Sequence, residues 1–220
     1  HYTFLKESEK RNDFTVRLWR TVTGAQLALY PNLNVKDPVW NKLLRDARFR
    51  RALSLAIDRH EINQVVYFGL ARESNNTIRP KSPLFRKSYQ RTSASFDLNR
   101  ANAILDTIGL DQRDEDGIRL LPDGRLLEIV VETAGESTEE SDVLELISDS
   151  WKDVGIKLFT RPSQREVFRK RIFSGQTVMS VWTGITNGVP TARMSPEEFV
   201  PSSQHQLQWP KWGQFVETNG

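Results

Sequence analysis

Apolar residues between positions 46 and 71 recur at spacings of one, three and four, which predicts two helices meeting at Asp58. Ala52, Leu53, Ala56 and Ile57 form the stripe of the first helix and leave Arg48, Arg50, Arg51 and Ser54 for other faces. Asp58 suits an N-cap, because its carboxylate can accept the free N–H groups that open a helix. Glu61 completes a capping-box spacing, Ile57 and Ile62 fit a hydrophobic staple across the same start, and Gly69 is placed to end the second helix.

The rest of the chain follows the same logic. Residues 1–35 read as lead-in strands: positions 14–19 alternate apolar and polar, as a half-buried strand does, and 26–30 form a second run. Asp37-Pro38 opens a short helix ending near Arg45. Residues 74–90, with Pro80 and Pro83, make a polar loop long enough to suggest a functional role or poor order. Asp97 caps a helix over 98–108, buried through Ala101, Ile104, Leu105 and Ile108 and stopped by Gly109.

Pro122-Asp123-Gly124 is a turn signal between runs 117–121 and 125–132, which predicts a hairpin. Ser137 with Glu140 has capping-box spacing, and Val143, Leu144, Ile147, Trp151 and Val154 mark one face of the next helix, closed by Gly155. A strand over 156–160, a helix from Ser163 (boxed with Glu166) to Ser174, and a strand over 177–182 complete the order. That helix has Val167, Phe168, Ile172 and Phe173 as its apolar positions. Strand, helix, strand, helix, strand is a βαβαβ unit, so the expected fold class is α/β with a mixed sheet and flanking helices. After Thr183 the periodicity dissolves, apart from a short helix expected at Ser195-Pro196, so 183–220 reads as an irregular tail.

The 220 residues, 38% hydrophobic, suffice for one domain with a packed core. No run approaches the roughly 18 apolar residues of a membrane span. With 31 basic and 28 acidic residues the net charge is only +3, too balanced to argue for nucleic acid. Cysteine is absent, which removes disulfide and thiol chemistry. His1, His60 and His205 share no metal-ligand spacing, and no phosphate loop or nucleophile elbow occurs. Asp114, Asp116, Gly117 and Asp123 match part of a calcium loop, but Gln112 holds the first ligand position and a strand pattern follows, which favours an acidic surface turn. No enzyme activity, metal or cofactor is expected.

Three features remain as candidates for binding. Trp182 ends a strand just before the irregular loop 183–190, and ligands of α/β sheets gather beyond the carboxyl ends of strands. Arg161, Arg165, Arg169, Lys170 and Arg171 form the densest basic cluster, which reads either as a solvated helix face or as a nucleic-acid groove. The tail holds Trp209 and Trp212 among Gln204, Gln206, Gln208 and Gln214, an unusual composition for a solvated surface and an alternative protein-interaction site.

Asp37-Pro38 and the run from Asp46 through Arg59 resemble the most recognisable segment of the extracellular solute-binding proteins of family 5, the dipeptide-, oligopeptide- and nickel-binding components of ABC importers. Ile62-Asn63, Gly69-Leu70-Ala71, Ser82-Pro83, Asp97, Ala101, Leu105 and Gly109-Leu110 extend the resemblance. Asp116-Gly117, Pro122-Asp123-Gly124, Trp151 and Val154-Gly155-Ile156 carry it toward residue 182.

The resemblance implies a type II-like lobe of a periplasmic binding protein. Residues 1–220 would form one domain, the second lobe of a two-lobed trap, truncated at both ends and lacking its first lobe. It further implies capture of a small-molecule or peptide solute and delivery to an ABC permease, with no nucleic-acid partner. The location would be periplasmic, or lipid-anchored outside the membrane of a Gram-positive cell.

Peptide-binding relatives carry an aspartate for the peptide's amino terminus three residues after a tryptophan like Trp182; this chain has Ile185 there, and Met179 where some have arginine. That departure argues against a standard peptide and keeps glycosides, opine-like compounds and modified peptides open. Trp182, Thr183, Asn187 and Ser82 are the expected ligand-binding residues, chosen from loop position.

Overall fold

A computed structural model describes residues 2–220, leaving outside it the chain start at His1. In chain order its elements are α1 (Tyr2–Ser8), β1 (Ala28–Pro31), α2 (Pro38–Arg45), α3 (Ala47–Leu55), α4 (Arg59–Val65), α5 (Lys87–Arg91) and α6 (Leu98–Thr107). Then come β2 (Glu128–Thr133), α7 (Thr138–Lys152), β3 (Lys157–Pro162), α8 (Arg165–Phe173), β4 (Met179–Trp182) and α9 (Pro210–Thr218).

Aspartates set the helix starts. Asp37, Asp46, Asp58 and Asp97 each accept one or two N–H groups of the first turn, so α2, α3, α4 and α6 begin where a short acidic side chain meets the chain. Asp58 accepts from His60 and Glu61 at 3.0 Å each, and α3 and α4 meet at this residue as the apolar pattern requires. The two serine-based boxes do not form. Ser137 makes no cap bond at α7, and α8 is preceded by Gln164, with the Ser163 hydroxyl buried and unpartnered.

The four strands form one mixed sheet in the order β1-β4-β2-β3. β2 runs parallel to β3 and β4, and these connections use α7 and α8 as crossovers, as parallel neighbours demand. β1 is antiparallel to β4, with Ala28 opposite Trp182 and Pro31 opposite Met179. Ile129 and Val131 of β2 pack with Leu144, Ile147 and Trp151 of α7, and this layer continues into Phe49, Ala52 and Leu55 of α3 and Leu105 of α6. A smaller cluster of Ala134, Phe168 and Ile172 lies under Trp182 and Leu207. The turn after α7 closes on Gly155 at φ +78°, where an added Cβ would sit 2.8 Å from the Gly117 carbonyl, so glycine is required there.

Several expectations are corrected. Residues 14–19 form no strand, with Leu18 and Trp19 exposed: the alternation is that of a strand, yet no neighbouring strand among the described residues completes it. The lead-in also contains α1, a helix whose seven residues lack the buried stripe that would reveal it. The hairpin at Pro122 shrinks to one isolated bridge, Leu120 opposite Leu126, because the second arm leaves to become the parallel strand β2. Around Ser195-Pro196 the chain makes a single turn, and the helix of the tail is α9, opened by Pro210.

Candidate functional site

Three distant segments are sewn together beyond the carboxyl end of β4. The Gly24 N–H donates to the Ile185 carbonyl at 2.7 Å, Gly184 to Ala25 at 3.1 Å and Gly188 to Val22 at 2.6 Å. The Asn76 amide oxygen accepts the Ile185 N–H at 2.9 Å, and the Ser82 hydroxyl donates to the Pro190 carbonyl at 2.6 Å. A Cβ at Gly184 would collide with Asn76 Oδ1 and lie 2.6 Å from the Ala25 nitrogen, so the close approach of these segments depends on glycine. Glu198 finishes the loop: its two carboxylate oxygens accept the Thr186 and Asn187 N–H groups at 2.6 and 3.4 Å.

This seam is one wall of a cavity of about 260 Å³. Tyr30, Asn76 and Ile185 form its floor side, with Glu198 and Phe199 beside them; Gln206, Gln208 and Trp209 close it from the tail. The Tyr30 hydroxyl donates to the Thr183 carbonyl at 2.7 Å, and burial pushes its pKa up to about 12, so it stays a neutral donor. Trp209 Nε1 and Gln208 Oε1 are buried with no hydrogen-bond partner among the described residues. One is an unused donor and the other an unused acceptor, each costly to leave unpaired.

The expected ligand-binding residues Trp182, Thr183, Asn187 and Ser82 make the following contacts. Trp182 is half-buried outside the cavity wall, stacked on Phe168 with centroids 5.9 Å apart and covered by the Arg165 guanidinium 5.2 Å away. Thr183 is exposed and contributes its carbonyl to Tyr30. Asn187 Oδ1 accepts the Val189 N–H at 3.0 Å, and its amide nitrogen faces Met194 Sδ at 3.3 Å. Ser82 is buried, its hydroxyl donating to Pro190 and accepting from the Leu84 N–H. Of the positions singled out in this loop, Ile185 lines the cavity. Tyr30, Asn76, Glu198, Phe199 and the tail residues were not among the expected ligand-binding residues, although the tryptophan- and glutamine-rich tail is the signal that points to Gln206, Gln208 and Trp209.

The basic cluster is partly neutralised. Arg171 and Arg161 approach the buried Glu132 carboxylate at 2.8 and 3.6 Å, and Arg165 pairs with Glu136 at 2.7 Å. The acidic turn is likewise self-contained, since Asp114 Oδ1 accepts the Asp116 and Ile118 N–H groups. No group of three His, Cys, Asp or Glu side chains suited to a metal stands together among the described residues. No described helix is long and apolar enough to cross a membrane.

A mixed sheet with parallel crossovers is an α/β arrangement, and the cavity lies past a strand's carboxyl end, where ligands of such sheets gather. The chain belongs to the bacterial extracellular solute-binding proteins, family 5 Middle, whose family model matches residues 2–205. It is 26% identical over 187 residues to the dipeptide-binding protein of Escherichia coli (strain K12), covering 83% of this chain and 33% of that protein. The solved oligopeptide-binding protein OppA superposes with a TM-score of 0.75 at 31% identity, over 85% of this chain and 29% of its own. MelB of Agrobacterium fabrum C58, solved in complex with stachyose, has a TM-score of 0.72 at 19% identity over 96% of this chain and 33% of its own, a likeness of fold. The chain thus spans about a third of the length of these relatives. The family is one of extracellular solute-binding proteins rather than enzymes.

Proposed function

We propose that this chain is one lobe of a two-lobed receptor of an ABC importer, and that a small solute is held against the cavity between Ile185, Glu198 and Trp209. The observation that carries this reading is the cavity itself: a concave, partly polar site at the strand end where α/β folds hold ligands, on a chain of a solute-binding family. A first lobe would supply the opposite wall. The exposed apolar residues Leu18, Trp19 and Val22, on a segment outside the sheet, suit the contact with that lobe.

Ligand binding shifts such a receptor to its closed form through the difference in affinity between open and closed states. The closed form is then presented to a membrane permease. Because relatives of the same fold are named for peptides in one case and solved with stachyose in another, fold membership leaves the ligand open. The receptor would act in the periplasm, or from a lipid anchor on the outer face of a Gram-positive membrane.

A thermal-shift screen of this lobe joined to its first lobe, against peptides, oligosaccharides and opine-like compounds, tests the reading. A stabilising ligand whose effect is lost in Trp209→Ala or Gln208→Ala supports it. A ligand that binds with full effect in both variants places the site elsewhere and defeats it.

A nucleic-acid role finds little support, since three of the five basic residues in the cluster face acidic partners. The tail as a protein-interaction site is also disfavoured: Trp209 lines the cavity and Trp212 lies under the Arg45 guanidinium, 4.8 Å away.

A further inference from the structure

We infer that a second pocket, on the polar face of α3, binds an anionic phosphate group. It shares no lining residue with the cavity at the end of β4, and the inference stands independently of the role proposed for that cavity.

The pocket has a volume of about 230 Å³ and is built from two sides. Counted from Ala47, Arg50, Arg51 and Ser54 lie three, four and seven residues on, so all four share one face of α3, while Phe49, Ala52 and Leu53 turn into the core. Asn75, Thr92 and Ser93 line the other side, from the connection between α4 and α6. That rim is already held in place. The Ser54 hydroxyl donates to the Ser93 carbonyl at 2.8 Å, and Asn75 Nδ2 donates to the carbonyls of Tyr89 and Thr92. Ser93 sits at φ +54°, a left-handed conformation that a non-glycine residue keeps only when its surroundings enforce it. An ordered rim leaves little entropy for a ligand to remove.

Charge sets the class of ligand. Arg48, Arg119 and Arg171 each hold a carboxylate, of Asp46, Asp106 and Glu132 in turn. Arg50 and Arg51 have no carboxylate within ion-pair distance among the described residues; Arg50 gives one N–H to the Leu44 carbonyl at 2.6 Å. Burial lowers the pKa of Arg50, nearby Asp46 raises it, and the Arg51 charge lowers it again. An anion shared by the two guanidinium groups offsets that repulsion. A carboxylate has two oxygens and satisfies one guanidinium fork, whereas a phosphate has oxygens for both. The neighbouring segment adds to the field. Arg72, Arg79, Lys81, Arg86, Lys87 and Arg91 stand there against one acid, Glu73, which His60 already engages at 2.9 Å. Charge of one sign concentrated in this way raises the local concentration of anions.

Two sources present this group: soluble phosphate and the headgroup of an anionic lipid. The test titrates the chain with inorganic phosphate and with acetate, at constant ionic strength, by isothermal calorimetry. In parallel the chain is sedimented with vesicles of phosphatidylglycerol, or of phosphatidylcholine, whose phosphate is neutralised by choline. The expected result is saturable phosphate binding that is about tenfold weaker in Arg51→Gln, the loss of a charge-assisted hydrogen bond, with acetate weaker than phosphate by a similar factor. Arg169→Gln removes the same charge from the exposed face of α8 and should bind as the parent does. Sedimentation with phosphatidylglycerol alone, lost in Arg51→Gln, supports the inference with a lipid headgroup as the source; phosphate binding without sedimentation supports it with a soluble phosphate. Equal weakening in Arg51→Gln and Arg169→Gln reduces the effect to net charge and overturns the inference. Acetate binding as tightly as phosphate overturns it too, as does the absence of binding to both phosphate and vesicles.

Discussion

The indole Nε1 of Trp151 donates to the Leu53 carbonyl at 3.1 Å, both residues buried, and so locks α7 to the last turn of α3. The bond satisfies a carbonyl that the ending helix leaves without an intrahelical partner. Trp151→Phe removes the donor but keeps most of the bulk, and should cost about 1–3 kcal/mol. Trp151→Ala also opens a cavity and should cost about 3–5 kcal/mol. Urea unfolding checks both, the midpoint falling while the slope stays unchanged.

Arg119 is 1% exposed, and its guanidinium gathers four partners. It donates to the Val154 carbonyl at 2.8 Å, Asn102 Oδ1 at 2.7 Å, Asp106 at 2.6 Å and the Leu110 carbonyl. Arg119→Met keeps an apolar stem but strands two buried carbonyls, and should destabilise by roughly 3–5 kcal/mol. Asp106 is half exposed, so Asp106→Asn should cost less than about 1 kcal/mol. Equal costs in chemical denaturation would show that the ion pair, and not the carbonyl contacts, carries the effect.

Two carboxyl groups give opposite pH dependences. Burial, aided by Glu136 and Glu139, pushes the Glu140 carboxyl above the usual range, so the folded state holds its proton more tightly than the unfolded state. Stability from this group therefore declines as pH rises from about 4.3, its unfolded value, through the raised folded value. Glu140→Gln should match the parent at pH 4 and melt at a higher temperature at pH 7. The hydrogen bond from Arg125, with N–H groups of Trp40 and Val39, holds Asp37 below the usual range. Its stabilisation is present above about pH 3.9 and is lost as pH falls through the folded value, so Asp37→Asn should flatten the acid limb of a melting-temperature profile.

The seam beneath the cavity is sensitive to a single methyl group. Gly184→Ala forces a Cβ against Asn76 and the Ala25 backbone, and should cost roughly 1–3 kcal/mol and displace Ile185. Ser82→Ala removes the donor to Pro190 while leaving the cavity wall intact, and should cost about 1 kcal/mol with ligand response retained. Thermal melts with and without a ligand separate the two, since only the glycine variant should lose the ligand response.

The helices were legible because their signals are local. Asp58 with the stripe of Ala52, Leu53 and Ala56 lies within a few residues, and the same holds for Asp97 with Ala101 and Leu105. Residues 14–19 carry a strand pattern, but a strand needs a neighbour, and alternation alone does not supply one. The site was legible only in fragments. Ile185 was singled out by its position and the tail by its composition. Tyr30 and Asn76 reach the cavity through pairings more than 100 residues apart along the chain, as Asn76 with Ile185 illustrates, and no local pattern encodes such a meeting. Trp182 stands at a strand end, and its packing against Phe168 and Arg165 of the preceding helix is a tertiary contact that no local pattern announces.

The most direct test of the account compares affinities of this lobe alone and of the two-lobed receptor for the same solute by calorimetric titration. If each lobe supplies half the contacts of a micromolar complex, halving about 8.2 kcal/mol leaves about 4.1 kcal/mol, a millimolar constant. The dissociation constant of the isolated lobe is expected to be at least about 100-fold weaker. Equal, micromolar affinity for these 220 residues alone would contradict it.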